Sequence, residues 1–212
     1  MKYFIVLAIS VLTINTTNAQ ALLKGDVDIH AGVGFGVYGI TSNDFDDSKS
    51  TGVPGLISLG AAYQLSDAWS VGLNYERNGF ATDPDSNHKA ILNNIGIVGA
   101  YNFVNSDKNV LNVAVELGFS SFRYDDFKNE EYVIGTGPQF QFGAGWKHYF
   151  GGKVGMYMNF SVPFYKYSKF KNADGDELKV YQRDVFGQVI EEKTYTISMS
   201  GANFRIGLLL KL

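Results

Sequence analysis

Beyond residue 26 the chain alternates apolar and polar residues with a period of two in nearly every segment, and helical spacing is hard to find. In the first segment Val27, Ile29, Ala31, Val33, Phe35 and Val37 share one face, and Asp28, His30, Gly32, Gly34, Gly36 and Tyr38 share the other. The second sets Ile57, Leu59, Ala61, Tyr63 and Leu65 against Ser58, Gly60, Ala62 and Gln64, and the third sets Trp69, Val71, Leu73 and Tyr75 against Ser70, Gly72, Asn74 and Glu76. Similar alternation around Ile95–Phe103, Leu111–Phe119, Phe140–Trp146, Val154–Val162 and Ala202–Leu212 brings the number of predicted strands to eight. One face of each is greasy, and the other is polar or very small.

The connections alternate in length. Ser66-Asp67-Ala68, Asn105 to Asn109 and Gly151-Gly152 are short and rich in turn formers, whereas polar stretches near 41 to 52, 80 to 90, 123 to 133 and 166 to 194 are long. Adjacent strands joined by such turns run antiparallel, so an up-and-down order places all short turns on one side. Short turns on one side and long loops on the other are the pattern of a transmembrane β-barrel. The expectation is an all-β fold, an eight-stranded antiparallel up-and-down transmembrane barrel.

The amino terminus fits export. Lys2 precedes an apolar run from Tyr3 to Ile14, and small residues follow at Thr17-Asn18-Ala19, which predicts a signal peptide over 1–19 and a barrel domain over 20–212. The apolar run is too short for a membrane-spanning helix, which needs about 20 residues. Cysteine is absent, so an exported fold must be held by its hydrogen-bonded sheet rather than by disulfides. A net charge of -3 gives no basic footprint and argues against nucleic acid as a partner. The 24 glycines, 15% aromatics and a mean hydropathy of -0.06 suit strands whose lipid-facing and lumen-facing halves cancel.

Aromatic residues gather at the predicted strand ends. Tyr63, Trp69, Tyr101, Phe103, Trp146, Tyr149 and Phe150 lie on the turn side, and Tyr75, Phe119, Phe122, Phe164, Tyr165 and Tyr195 lie toward the loops, as two interfacial girdles would. Within 166–194, Asn172-Ala173-Asp174-Gly175-Asp176 followed by Glu177 to Arg183 and Gln188 to Thr196 reads as turn, strand, turn, strand. Glu177, Lys179, Gln182, Arg183, Glu191, Glu192 and Lys193 make these strands too polar for lipid, so they are expected to project as a hairpin, with ten membrane strands as the alternative.

The carboxy-terminal run Arg205-Ile206-Gly207-Leu208-Leu209-Leu210-Lys211-Leu212 resembles the assembly signal of outer-membrane barrel proteins, with Arg205, Gly207, Leu210 and Leu212 at its characteristic positions. It departs from many members in ending on leucine rather than phenylalanine. Together with the hairpin Tyr63 to Tyr75, the chain resembles the small outer-membrane β-barrel family of OmpA and OmpX type from Gram-negative bacteria. That resemblance implies an outer-membrane location, with membrane lipid and the barrel-assembly machinery as partners. It implies function poorly, because members serve structural, adhesive and assembly-related roles.

Alternation turns Asp28, His30, Glu76, Glu116, Lys147 and Arg205 toward the lumen, where a salt-bridged polar network is the simplest account. Closure of the last strand on the first predicts Arg205 near Asp28 or His30, with Glu116 in reach across the lumen. A narrow gated channel is the alternative. Some barrels of this size modify lipid A, yet only His88, beside Ser86 and near Asp83 and Asp85, has a hydroxyl and a carboxylate close in sequence; His30 and His148 do not. Asp44, Asp46 and Asp47, and Asp125, Asp126, Glu130 and Glu131, lack calcium-loop spacing and read as solvated charge. No catalytic, cofactor or metal site is expected. The leading expectation is a non-enzymatic barrel with a structural or surface-binding role through its outer loops. A channel, a lipid A-modifying enzyme and a soluble lipocalin-like barrel with its apolar face inward are the alternatives.

Overall fold

A computed structural model of the chain describes residues 20–43, 49–80, 88–126, 131–183 and 188–212, so the expected signal peptide lies outside the described residues. The strands are β1 (Val27–Ser42), β2 (Lys49–Gly52), β3 (Pro54–Gln64), β4 (Trp69–Phe80), β5 (His88–Asn105), β6 (Asn109–Asp126), β7 (Glu131–Tyr149), β8 (Val154–Lys171), β9 (Lys179–Arg183), β10 (Val189–Thr194) and β11 (Ile197–Lys211). Two short pieces, β2 and β3, act as one barrel strand. Both pair with β1 in a single register, Gly52 opposite Tyr38 and Gly55 opposite Phe35, with Val53 between them.

Every neighbouring pair is antiparallel, and β11 closes the sheet by pairing with both β8 and β1. Starting at Ile29 on β1, the register passes through Ala61, Leu73, Ile97, Leu117, Phe140, Phe164 and Ser200 and returns to β1 at Gly39, ten residues farther on. Such a stagger over eight strands tilts them by roughly 35–45° and leaves a bore that side chains fill. The barrel has eight membrane strands, and the hairpin β9–β10 forms a separate sheet.

The short turns follow from their residues. Ser66 Oγ accepts from the backbone N–H groups of Ala68 and Trp69 at 3.3 and 3.1 Å, and Leu65 N–H donates to Trp69 at 2.9 Å. Between β7 and β8 the reversal uses Gly152 at φ +82°, a left-handed conformation that glycine adopts without steric cost.

Through the membrane the alternation is as expected, with apolar residues out: Leu117 is 61% exposed on the outer surface while the adjacent Glu116 is 3% exposed inside. This outward apolar belt rules out the inverted, lipocalin-like arrangement. Trp69 and Tyr101 meet on the outside near the turns, with ring centroids 4.8 Å apart. Toward the outer end the polarity inverts. Tyr38, Leu92, Phe122, Tyr165, Tyr167, Phe170 and Met199 point inward and form a buried cluster, while Lys89, Arg123, Thr136, Lys166 and Ser198 point outward.

That inversion corrects two expectations. The strands continue well into the predicted loops, with β6 reaching Asp126, β7 starting at Glu131 and β8 reaching Lys171. Their backbones stay paired beyond the lipid because the aromatic cluster gives them a core of their own. Several residues assigned to the girdles also face the other way: Phe122 and Tyr165 belong to this inner cluster, Tyr195 packs against it, and Tyr149 is buried at the turn end.

Candidate functional site

Four layers of side chains fill the bore, and the sequence-predicted residues occupy two of them. At the turn end, Ala21 and Leu22 tuck into the mouth against Val110, Tyr149, Tyr157 and Leu209. Asn105 holds this segment at both edges of Leu22, accepting from its N–H at 3.1 Å and donating to its carbonyl at 2.6 Å. Lys211 Nζ donates to the Ala21 carbonyl at 2.7 Å. Above this stopper, the fully buried Asp28 is ion-paired with Lys147 from across the barrel.

Next comes a cavity of about 110 Å³. It exists because small residues, among them Ala62, Gly72, Ala100, Ala114, Gly143 and Gly145, face one another around the bore. His30 lies on its wall with its ring edge-on to Tyr157, centroids 5.2 Å apart, and Tyr157 shares a 3.0 Å hydrogen bond with Ser58. Room for that tyrosine comes from Gly32 and Gly207, which are opposite each other on β1 and β11. A Cβ at Gly207 would stand 2.6 Å from the Tyr157 ring. Neither Tyr157 nor its glycine cradle was singled out from the sequence, although the paired glycines on adjacent strands carried the signal.

The third layer is the ion network. Arg205 is ion-paired with Glu76 and also donates to Asn159 Oδ1 at 2.7 Å, Ser161 Oγ at 2.9 Å and Gln141 Oε1 at 3.1 Å. Glu76 accepts from Asn78 Nδ2 at 2.9 Å. Glu116 has three amide donors instead of a cation: Gln139 at 2.7 Å, Asn74 at 3.0 Å and Gln141 at 3.3 Å. Gln141 therefore links Glu116 to Arg205. Each buried charge is met by hydrogen bonds, as burial in a narrow bore demands. Above it, Ser120 shares a 2.6 Å hydrogen bond with Tyr167, and the aromatic cluster forms the fourth layer.

Arg205 lines the same cavity as His30, one of its two expected neighbours, and does not lie near the other, Asp28. It stands opposite Gly34 on β1, whereas Asp28 stands opposite Lys211. The closing pair of strands is as expected, but the stagger puts Arg205 six positions along from Asp28, so Glu76 takes the arginine and Lys147 takes the aspartate. Of the carboxy-terminal signal residues, Arg205 points inward, Gly207 makes way for Tyr157, and Leu210 and Leu212 are exposed.

Histidine chemistry finds little support in this geometry. His148 sits on the turn side with Nδ1 2.9 Å from Asn109 Oδ1, and among the described residues no serine hydroxyl hydrogen-bonds to it or to His30. His88 opens β5 rather than lying in a loop, and Asp83, Asp85 and Ser86 fall outside the described residues. Asp44, Asp46, Asp47 and Glu130 also fall outside them; Asp126 and Glu131 are register partners at the ends of β6 and β7, and Asp125 is ion-paired with Arg123 at 2.5 Å. Among the described residues no group of three His, Asp or Glu side chains is arranged to hold a metal.

Outside the bore, β9 and β10 pair only with each other, Lys179 opposite Thr194 and Tyr181 opposite Glu192. Their base is fastened to the barrel. Leu178 packs against the aromatic cluster and donates its N–H to the Phe170 carbonyl at 2.7 Å. Asn43 clamps the far side, donating to the Thr194 carbonyl at 2.9 Å and accepting from the Thr196 N–H at 2.8 Å.

A closed bore inside an outward apolar belt is the architecture of an outer-membrane barrel, and the sequence matches the outer membrane protein beta-barrel domain over residues 4–185. The chain belongs to that family. As an outer-membrane beta-barrel protein it is similar in structure to OprG from Pseudomonas aeruginosa, with a TM-score of 0.56 and 12% identity over 92% of this chain and 98% of that one. Neisserial surface protein A aligns with a TM-score of 0.47 and 14% identity over 86% and 98% of the two chains. The attachment invasion locus protein Ail of Yersinia pestis aligns at 0.40 and 10% over 86% and 99%. At such identities the OprG likeness speaks for the fold alone. No curated protein matches the chain.

Proposed function

We propose that this outer-membrane barrel is a non-enzymatic anchor that presents the β9–β10 hairpin for contact with a partner or surface outside the cell. The observation behind the reading is the contrast between a bore packed in four layers and a hairpin standing as its own sheet on a base locked by Leu178 and Asn43. Among the described residues, the ion network and the aromatic cluster stand in the way of a permeant. The hairpin, by comparison, exposes Tyr181 and Val189 beside charged neighbours and leaves strand edges free to accept another strand.

The test replaces residues 179–194 with a short glycine-serine turn. Cells carrying the intact chain should attach to immobilised cell surfaces or to one another, and the shortened chain should lose that attachment while keeping the heat-dependent gel mobility of a folded barrel. Attachment that survives the replacement overturns the hairpin reading. Discrete conductance of the intact protein in planar bilayers would favour a channel instead.

A further inference from the structure

The outward face of β4 runs Trp69, Val71, Leu73, Tyr75 and then Arg77, all exposed and all in one phase. Arg77 thus follows directly on the apolar belt, on the side of the barrel that meets lipid. In register beside it are Asn93 on β5, Ser121 on β6 and Thr136 on β7, a polar row across four strands. The row beneath is Tyr75, Ile95, Phe119 and Pro138. Above the polar row stand two more outward cations: Arg123, opposite Ile91, and Lys89, opposite Asp125.

Three cations gather on the neighbouring strands β4–β6, and Lys49, opposite Thr41, and Lys166, opposite Ser198, are outward cations elsewhere on the rim. At the corresponding ends of β11 and β1 the exposed outward positions are Ser198, Ser200, Gly39 and Thr41, none of them charged. The cations are also set for an external anion. Arg123 is braced, its guanidinium carbon 4.5 Å from the Tyr132 ring centroid and its Nε on Asp125, so its outer N–H groups are aimed by contacts that leave the side chain 45% exposed. Arg77 is exposed on this outward face. Tyr75 donates its hydroxyl to Asn93 Oδ1 at 3.0 Å, which ties the polar row to the aromatic row beneath it. With Asp125 the only acid among these positions, the arc carries a net positive charge over the three rungs that follow the apolar belt.

A head-group phosphate is a natural partner for a cation at the edge of hydrocarbon, and a guanidinium fork matches it with two parallel N–H donors. We propose that Arg77, Lys89 and Arg123 form a lipid-facing site on β4–β6 for the phosphate of an outer-leaflet glycolipid. Its acyl chains lie against Tyr75, Ile95 and Phe119, and Asn93 and Ser121 hydrogen-bond its polar head. This site is separate from the hairpin, so it stands or falls independently of the proposed surface contact.

The experiment uses the full protein, folded in detergent and identified as folded by its heat-dependent mobility, with bound lipid counted by native mass spectrometry. The probes are bisphosphorylated lipid A, the same lipid stripped of phosphate, and inorganic phosphate. Lipid A should be retained, the stripped lipid should bind at least about tenfold more weakly, and inorganic phosphate alone should not compete. Arg77→Gln with Arg123→Gln should weaken lipid A retention by a similar factor, whereas Lys166→Gln on β8 should not. Equal retention of the stripped lipid by the unaltered protein overturns the site whatever the variants do. So does equal retention of lipid A by the folded double variant, and competition by inorganic phosphate would overturn the lipid as its occupant.

Discussion

Two ion pairs, each a glutamate with a basic side chain, sit at opposite extremes of exposure in this molecule. Arg205 and Glu76 meet inside the bore with side chains 5% and 2% exposed, while Lys179 and Glu192 meet on the outer hairpin at 41% and 46%. In the bore, water cannot solvate either partner, so each charge depends on the other and on the amides and hydroxyls around it. On the hairpin, water competes for both groups and screens their attraction. Pairing of a cation with a carboxylate is therefore indispensable to its partners in one place and merely decorates a strand in the other.

Arg205→Ala breaks the inner pair and should produce the largest effect. It strands Glu76 as a buried carboxylate and leaves Asn159, Ser161 and Gln141 short of a donor, which is expected to cost about 3–5 kcal/mol of barrel stability. The fall in urea midpoint of protein folded into lipid vesicles measures it. Arg205→Met combined with Glu76→Gln removes both charges and should recover most of the loss. A double variant as unstable as the single one would place the cost in the abandoned neutral partners rather than in the charge.

Asn43→Ala addresses the border between the two regions and should have a smaller, local effect. Its two hydrogen bonds tie the end of β1 to the end of the hairpin, and each contributes about 0.5–1.5 kcal/mol to holding that junction. Amide exchange across 189–196 should quicken while the barrel's urea midpoint stays put. Unchanged exchange would mean that Leu178 and Tyr195, packed on the aromatic cluster, hold the hairpin unaided.

The alternation of apolar and polar residues made the membrane part of the barrel legible. Val33, Leu73, Ile97 and Leu117 face out as their phase requires, and Asp28, Glu76, Glu116 and Arg205 face in. What could not be read was the point where the preference of the two faces exchanges. Phe122 and Arg123 continue the same two-residue period as Leu117 and Glu116, but outside the lipid the aromatic ring belongs inside and the charge outside. A reading that follows apolar-out alternation stops there and assigns a loop. Pairing across the bore was also hidden, because the stagger that separates Arg205 from Asp28 is a property of the closed sheet and not of either strand. The cavity needs small residues from many strands to meet at one level, and no single segment announces that.

Lys179→Met tests the other end of the comparison and should change least. The hydrogen bond and charge of Glu192 hold the Lys179 ammonium above the ordinary lysine range. A raised lysine value contributes stability that is fully present below the unfolded value and disappears only as pH climbs through the folded one. Near neutral pH lysine is protonated in both states, so the hairpin should be insensitive to pH through this group. The pair is exposed on both sides, and its removal should leave amide exchange across 179–194 unchanged within error. A clear acceleration on Lys179→Met would show that the hairpin surface shields its charges from water, bringing the two ion pairs closer in kind than their exposure implies.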